Sequence, residues 1–331
     1  MDVLTDLLAR SRARGAGFSH TTLHGPAALA FPPGPGLAVH VMVDGEAHLR
    51  TAVDGDVGPG GPDRPDGAGT PVRAGDVVLV RGPVEHALAH PVDAAATPLA
   101  EVMAAGPLPG TARGYVVGPT DRPVDAVFFC GAYLFDGDLC DGVLTALPDT
   151  IVLRPAPGGA LRATTDLLAR EILSDAPGQQ ALLDRLLDVM LVLVLRHHFE
   201  AAGDAAPPWF RASADPGVGA ALQAIHADPA APWTVASLAR VASLSRGAFA
   251  RRFRELLGVP PLGYLTSWRM ALARERLRDG HEGLAAVAAA VGYRSEFAFA
   301  AAFKRHHGVA PGRWRATAAA ASHDARAAGA S

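Results

Sequence analysis

In the last third of the chain, apolar positions recur at a helical period in two bursts that share one layout. The first reads WTVASLARVASLSRGAFARRFRELLG, Trp233 to Gly258, and the second EGLAAVAAAVGYRSEFAFAAAFKRHHG, Glu282 to Gly308. Each predicts a short apolar helix, a tight turn, a second helix with Phe at i and i+4, and a serine placed to cap that second helix (Ser245, Ser295). Phe249/Phe253 and Phe299/Phe303 anchor those second helices on a core and leave the opposite face free. A helix held in this way has the shape that enters a DNA major groove with its N-terminal half toward the bases. Between the bursts, PLGYLTSWRMALARERLRDG predicts a connecting helix started by Pro260–Pro261, and Gly292 falls where the second turn needs a positive φ.

The first half has a different rhythm. Runs such as LAVHVMV, DVVLV and AVFFCGAYLF, bounded by Gly, Pro and Asp, read as strands up to about Pro157. Between two of them, Asp54–Pro71 has the composition of a mobile loop. From about Ala160 the period becomes helical, in LRATTDLLAREIL and QQALLDRLLDVMLVLVLRHHFEA. The second of these, Ala181–Glu200, is apolar over most of its surface. It is therefore either core under the strands or a dimer interface, and a dimer formed through Leu187, Leu191 and Leu195 is favoured. The expected organisation is an α+β chain of two domains. Residues 1–203 form a β-rich domain with trailing helices, and 204–217 a linker. Residues 218–317 form an all-α domain able to bind DNA when expressed alone from about residue 210, and 318–331 a disordered tail.

Charge sharpens this division. The formal net charge of the 331 residues is −3. Val218 to Thr317 holds 14 Lys+Arg against 6 Asp+Glu, a balance of +8, whereas Met1 to Gly217 holds 15 against 26, a balance of −11. The basic stretch coincides with the helical bursts, as neutralising phosphates requires. MDVLTDLLARSRARG lacks the apolar core of a secretory signal, and Leu186–Leu195, broken by Asp188, is about half the ~20 residues of a membrane span. Two cysteines, Cys130 and Cys140, make no secreted disulfide framework, so a cytoplasmic protein with no membrane partner is expected.

From about Val218 to Arg315 the chain resembles the DNA-binding domain of the AraC/XylS family of transcriptional regulators. The resemblance is carried by Leu238–Ala239, the Leu244–Ser245 turn, Arg269 and Ala273 in the connecting helix, the Gly292–Tyr293 turn, and Gly308, Pro311 and Arg315. Trp314 stands where Tyr is more usual. The β-region resembles the cupin-type N-terminal domain of one AraC subfamily through MDVLTDLL, Gly75–Asp76 with VVLV, Pro83 and His86, and CGAYLF leading to LTALPDTIVL. Oxidant-responsive members of that subfamily carry Cys-Gly at the position of Cys130–Gly131. The resemblance implies a regulator, here expected to be an activator, whose partners are double-stranded promoter DNA, RNA polymerase, a second copy of the chain and a small-molecule or oxidant effector. It also implies that residues 1–203 are a cupin-like β-barrel with trailing helices that senses and dimerises, and it implies no cofactor.

Several side chains are candidates for the chemistry. In the first recognition helix Arg246, Gly247, Ala250 and Arg251 face outward, and Arg251 is the best candidate for a bidentate contact to guanine. Arg252 and Arg254 are expected near phosphate. In the second, Ser295 caps, while Glu296, Phe297, Ala300 and Ala301 face outward. Glu296 can accept from cytosine, and Phe297 either packs on a thymine methyl or belongs to the core. Lys304, Arg305, Arg313 and Arg315 are expected beside phosphates. Among the β-region histidines, His40, His86 and His90 are weak metal candidates, since the His-x-His with a following Glu of cupin enzymes is absent. A cupin metalloenzyme tethered to DNA is the alternative reading. Cys130 lies in an apolar strand and Cys140 in the acidic loop DGDLCDG; they are the sensor candidates, with Cys140 the poorer nucleophile.

Overall fold

A computed structural model describes residues 3–10, 19–34, 36–51, 69–108, 111, 113–133, 144, 146–172, 174, 176–280 and 282–317. Cys140, the tail 318–331 and most of the glycine-rich loop fall outside them. Two compact units emerge. One holds residues 19–133 and 144–201, and the other holds 3–10 together with 202–317.

The first unit is organised by its longest strand. The strands are β1 (Ser19–His24), β2 (Ala27–Phe31), β3 (Leu37–Thr51), β4 (Thr70–Arg73), β5 (Val77–Arg81), β6 (His86–His90), β7 (Ala96–Pro98), β8 (Gly114–Val117), β9 (Val124–Tyr133) and β10 (Thr150–Leu153). They form a ten-stranded, nearly closed barrel-like sheet with the order β7-β2-β6-β3-β9-β1-β8, while β4 and β5 pair with β3 and β10 pairs with β5. The first half of β3, Leu37–Val41, lies between β5 and β9. The second half, Glu46–Leu49, runs along β4, and His48–Thr51 along β6. One strand thus pairs with four others, β4, β5, β6 and β9, and it must bend between its halves. The pairing shifts register between Met42 and Asp44, and Gly45 adopts φ +71° with its Cα so close to β9 that an added Cβ would sit 1.9 Å from the Asp125 carbonyl oxygen. Only glycine satisfies both demands.

Inward-facing Leu23, Leu29, Met42, Leu49, Val78, Val80, Leu88, Phe128 and Cys130 fill the barrel as one cluster. Short α2 (Leu99–Ala105) is followed later by α3 (Ala160–Glu171) and α4 (Gln179–Ala202). Tyr133, fully buried near the end of β9, donates its hydroxyl to the Leu187 carbonyl of α4 at 2.8 Å. Leu187, Leu191 and Leu195, expected at a dimer interface, are buried within this unit and are core. The apolar side chains that α4 leaves exposed are Leu182 and Val189, at 40% and 47%, with Leu167 of α3 at 38%.

The second unit contains α1 (Val3–Arg10), α5 (Pro208–Ser213), α6 (Pro216–Ala227), α7 (Val235–Val241), α8 (Arg246–Leu257), α9 (Pro261–Asp279), α10 (Leu284–Ala290) and α11 (Glu296–His307). Two features add to the expected organisation. The stretch 204–217, expected as a linker, includes α5 and the start of α6, with Ala206 and Ala212 buried. The first helix packs in this unit. Its Val3 and Leu4 are buried, and so is Asp6.

Candidate functional site

Local chemistry fixes each helix of the C-terminal unit. Thr234 opens α7 with a reciprocal cap: its hydroxyl accepts from the Ser237 N–H at 3.0 Å, and the Thr234 N–H donates to the Ser237 hydroxyl at 2.8 Å. Ser245 accepts from the Ala248 N–H at the start of α8, and Ser295 accepts from the Ala298 N–H at the start of α11. Gly258 and Gly308 close these helices in the left-handed conformation. Phe249, Phe253, Phe299 and Phe303 are fully buried, so the rotation of both recognition helices about their axes is set by packing. The turn before α11 is just as constrained. Gly292 has φ +79°, and an added Cβ would lie 2.6 Å from the Ala230 carbonyl oxygen and 2.7 Å from Arg269 Nη2. Arg269 itself donates to the Pro229 and Ala231 carbonyls at 2.7 and 2.8 Å. It clamps the connecting helix α9 to the segment before α7.

The outward faces match expectation in most positions. Arg246, Gly247, Arg251 and Arg254 are exposed on α8, and Ala250 is half-buried. Arg251 reaches toward Glu255, 3.7 Å away, an exposed i,i+4 pair too weak to compete with a guanine or a phosphate. Arg252 donates to Asp215 at 2.9 Å. Asp215 also caps α6 by accepting from the Gly217 and Val218 N–H groups, and those hydrogen bonds, the Val218 one foremost, hold its carboxyl below the usual range. On α11, Glu296, Phe297, Ala301, Lys304 and Arg305 are exposed and Ala300 is half-buried. Phe297 is 81% exposed, which excludes the core alternative. Arg315 is a correction: its Nη2 donates to the Glu282 carbonyl at 2.7 Å, so it ties the segment after α11 to the start of the second burst.

A second constellation occupies the barrel interior. His40 and Cys130 are direct cross-strand partners of β3 and β9, and His40 Nδ1 lies 3.0 Å from the Cys130 sulfur. His86, stacked on Phe31, places its Nε2 2.8 Å from His40 Nε2, and its Nδ1 lies 3.2 Å from the Val84 carbonyl oxygen. That carbonyl can only accept, so His86 Nδ1 carries a proton. Burial lowers the pKa of both histidines, that of His86 to about 4, so both rings are neutral near pH 7. These constraints set the direction of every hydrogen bond in the cluster. The Cys130 thiol donates to His40 Nδ1, His40 Nε2–H donates to His86 Nε2, and His86 Nδ1–H donates to Val84. Burial pushes the Cys130 thiol up, partly offset by a hydrogen bond from Ser19. His90 stands apart from this cluster, with its Nε2 4.0 Å from Asp125. Among the described residues no group of three or more His, Cys, Asp or Glu side chains is arranged to hold a metal ion.

One cluster went unseen in the sequence. Asp6 of α1 lies 2.7 Å from His226 Nδ1, and His226 Nε2 lies 2.8 Å from the Tyr264 hydroxyl. The available signal was a lone Asp on the apolar side of an amphipathic helix and a lone His ending an apolar one.

A cupin family model matches residues 2–200, and a helix-turn-helix domain model matches 238–317. An AraC-like transcription regulator of Streptomyces antibioticus is 33% identical over 320 residues, covering 95% of this chain and 98% of its own. A second, from Streptomyces lividans, is 48% identical over 132 residues, 40% of this chain and 43% of its own. The RCS-specific transcriptional activator RclR of Escherichia coli is 33% identical over 176 residues, covering 52% and 62%. Among solved structures, the DNA-binding domain of AdpA in complex with a target DNA matches 31% of this chain and 93% of its own at 33% identity and a TM-score of 0.30. The fold and the paired recognition helices define a DNA-binding transcription regulator. The chain belongs to the AraC-like transcription regulators.

The neutral histidine chain makes barrel stability depend on pH. Below about 6.5 the unfolded chain takes up a proton that folded His86 refuses until about pH 4. Its contribution is therefore fully present above 6.5 and is lost as pH falls through that window. At pH 5 the loss is about 2 kcal/mol from His86 alone. Calorimetric melting of the full chain between pH 7 and 4.5 should show the barrel transition moving down, with a shallower slope in His86→Gln; equal slopes would contradict the assignment.

Proposed function

We propose that the chain is a signal-responsive homodimeric activator in which the barrel senses and the C-terminal unit grips promoter DNA beside RNA polymerase. The observation that carries the DNA-binding part is the pair of Ser-capped recognition helices, each anchored by two buried phenylalanines, on the segment with a balance of +8. In this reading Arg251 makes a bidentate contact to guanine, and Arg246 touches a base or a phosphate. Arg254, Lys304, Arg305 and Arg313 lie along the backbone, and Arg252 is held by Asp215 as a support of α8. The action belongs to the cytoplasm, where promoter DNA is; no helix among the described residues is long and apolar enough to cross a membrane. A cupin metalloenzyme tethered to DNA is the competing reading, and metal analysis of the purified full chain separates the two.

The signal enters through Cys130. A peroxide-class oxidant forms a sulfur–oxygen bond there as its O–O bond breaks. The thiol proton passes to His40 Nδ1 and on to the departing hydroxide, leaving water and a sulfenic acid. The sulfenic acid places a polar group in a packed layer, which responds by switching arrangement more readily than by stretching. Dimerisation uses the outer face of α4, Leu182 and Val189, in place of the inward-facing leucines.

Three outcomes test this. Arg251→Ala should cost about 1–3 kcal/mol on the preferred operator and relax selectivity at one base pair. Equal weakening on all sequences would make Arg251 a phosphate contact. Sedimentation of the full chain at micromolar concentration should show a dimer that Leu182→Glu with Val189→Glu dissociates, whereas a monomeric wild type ends the dimer reading. Mild oxidant should change promoter binding by wild type, leave Cys130→Ser unaffected and act more slowly on His40→Gln, with Cys140→Ser only altering the response. An unchanged wild type would make the cysteines structural and the effector a small molecule held in the barrel.

A further inference from the structure

The two recognition helices offer different chemistry to DNA. The exposed face of α8 is cationic, with Arg246, Arg251 and Arg254. Over its first two turns the exposed face of α11 is Glu296, Phe297, Ala298 and Ala301. Apart from the carboxylate of Glu296, none of these can hydrogen-bond a base edge through its side chain. Glu296 has a sufficient role without DNA, as an acidic residue in the first turn of the helix.

Phe297 is the most exposed large apolar side chain among the described residues, at 81% against 57% for Met103, the next. The core does not need it, because Phe299 and Phe303 already fill that role on the same helix. The Ser295 cap fixes the first turn that carries Phe297, and this is the part of a recognition helix that meets base edges. Ala301 lies four residues on, on the same face, and its small side chain lets the helix approach closely. Arg294 just before the helix, Lys304 and Arg305 in its last turn and Arg313 beyond it are all exposed. An apolar tip on a helix whose exposed charges near both ends include several cations is a poor seat for an apolar protein face. It is complementary to a groove floor of pyrimidine methyl groups walled by phosphates.

We propose that the second recognition helix reads thymine 5-methyl groups, with Phe297 making the contact and Ala301 permitting the approach. The operator is then bipartite in chemistry: guanine is read by hydrogen bonds under α8, and adjacent thymines are read by apolar contact under α11. This rests on the DNA-binding reading and adds to it the class of base that the second helix selects.

The test uses the full chain and a duplex that it selects from random DNA. Deoxyuridine replaces thymine one position at a time, which keeps every hydrogen bond and removes only the methyl. Wild type should lose about 3- to 5-fold in affinity at one or two adjacent positions, the worth of one buried methyl, and be indifferent elsewhere. Phe297→Ala, whose side chain is exposed and supports no packing, should bind thymine and uracil duplexes equally while keeping its preference for guanine at the Arg251 position. Uracil tolerated everywhere by wild type, or the same uracil penalty in wild type and Phe297→Ala, overturns the methyl reading and leaves DNA binding intact. Failure to retain any duplex overturns the DNA-binding reading itself and the inference with it.

Discussion

Asp6, close to the chain start, is buried against a histidine far along the sequence, and the C-terminal unit depends on that pair. The carboxylate can only accept at 2.7 Å, so His226 Nδ1 holds a proton, and Tyr264 completes the chain on the other ring nitrogen. Asp6 and His226 are both at about 1% exposure or less. Removing one partner of a buried pair of this kind costs about 3–5 kcal/mol, because the other is left desolvated and unpaired. The first helix is therefore a structural part of the DNA-binding unit. The two segments of that unit bracket the barrel in sequence, so the barrel leads into the same body at both of its ends. A fragment starting near residue 210 would keep both recognition helices and lose Asp6, leaving His226 and Tyr264 without it. Such a fragment, expected from the sequence to bind DNA alone, would therefore lack one partner of a buried pair in its own unit.

The same unit separates two uses of arginine that composition merges. The balance of +8 between Val218 and Thr317 counts every cation equally. Arg269 is spent on the Pro229 and Ala231 carbonyls, Arg315 on the Glu282 carbonyl and Arg276 on the Glu282 carboxylate. Arg274 and Arg278 lie over the Trp314 ring at 5.4 and 5.7 Å, which gives that Trp a role as a cation platform. Exposed cations on α8 and α11 are Arg246, Arg251, Arg252, Arg254, Lys304 and Arg305. A segment's charge thus points to the class of ligand, and its hydrogen bonds show which charges serve the fold.

Legibility tracked the range of the interactions. The recognition helices could be read because everything that defines them is local: Ser245 and Ser295 three residues before the amides they cap, Phe pairs at i and i+4, and glycine at each C-terminus. The barrel strands could be read from their apolar runs. The fate of α4 could not, because a helix apolar on most sides carries no mark of which side meets the sheet, and Tyr133 on β9 settles that by bonding Leu187. The 204–217 segment looked like a linker because it is rich in Pro, Ala and Asp, yet the prolines open helices there and Asp215 is a cap. His40, His86 and Cys130 were each noticed singly. Their union depends on a register, His40 opposite Cys130, and on β3 bending to pair with β9 in its first half and β6 in its second; neither is written in any short window.

The energetics of that union bear on what the barrel does. A dry interior lined by Leu, Val and Phe would be filled at lower cost by three more apolar side chains than by a thiol and two imidazoles, each of which must find a partner or forfeit its hydration. Here every position in the chain is satisfied, but in one proton arrangement only, since the terminal Val84 carbonyl cannot donate. Moving the thiol proton onto His40 Nδ1 would reverse only the Cys130–His40 bond and would leave a charged imidazolium in this apolar interior. A polar network that is costly to build and complete in one proton arrangement sets His40, His86 and Cys130 apart from the half-exposed His90–Asp125 pair.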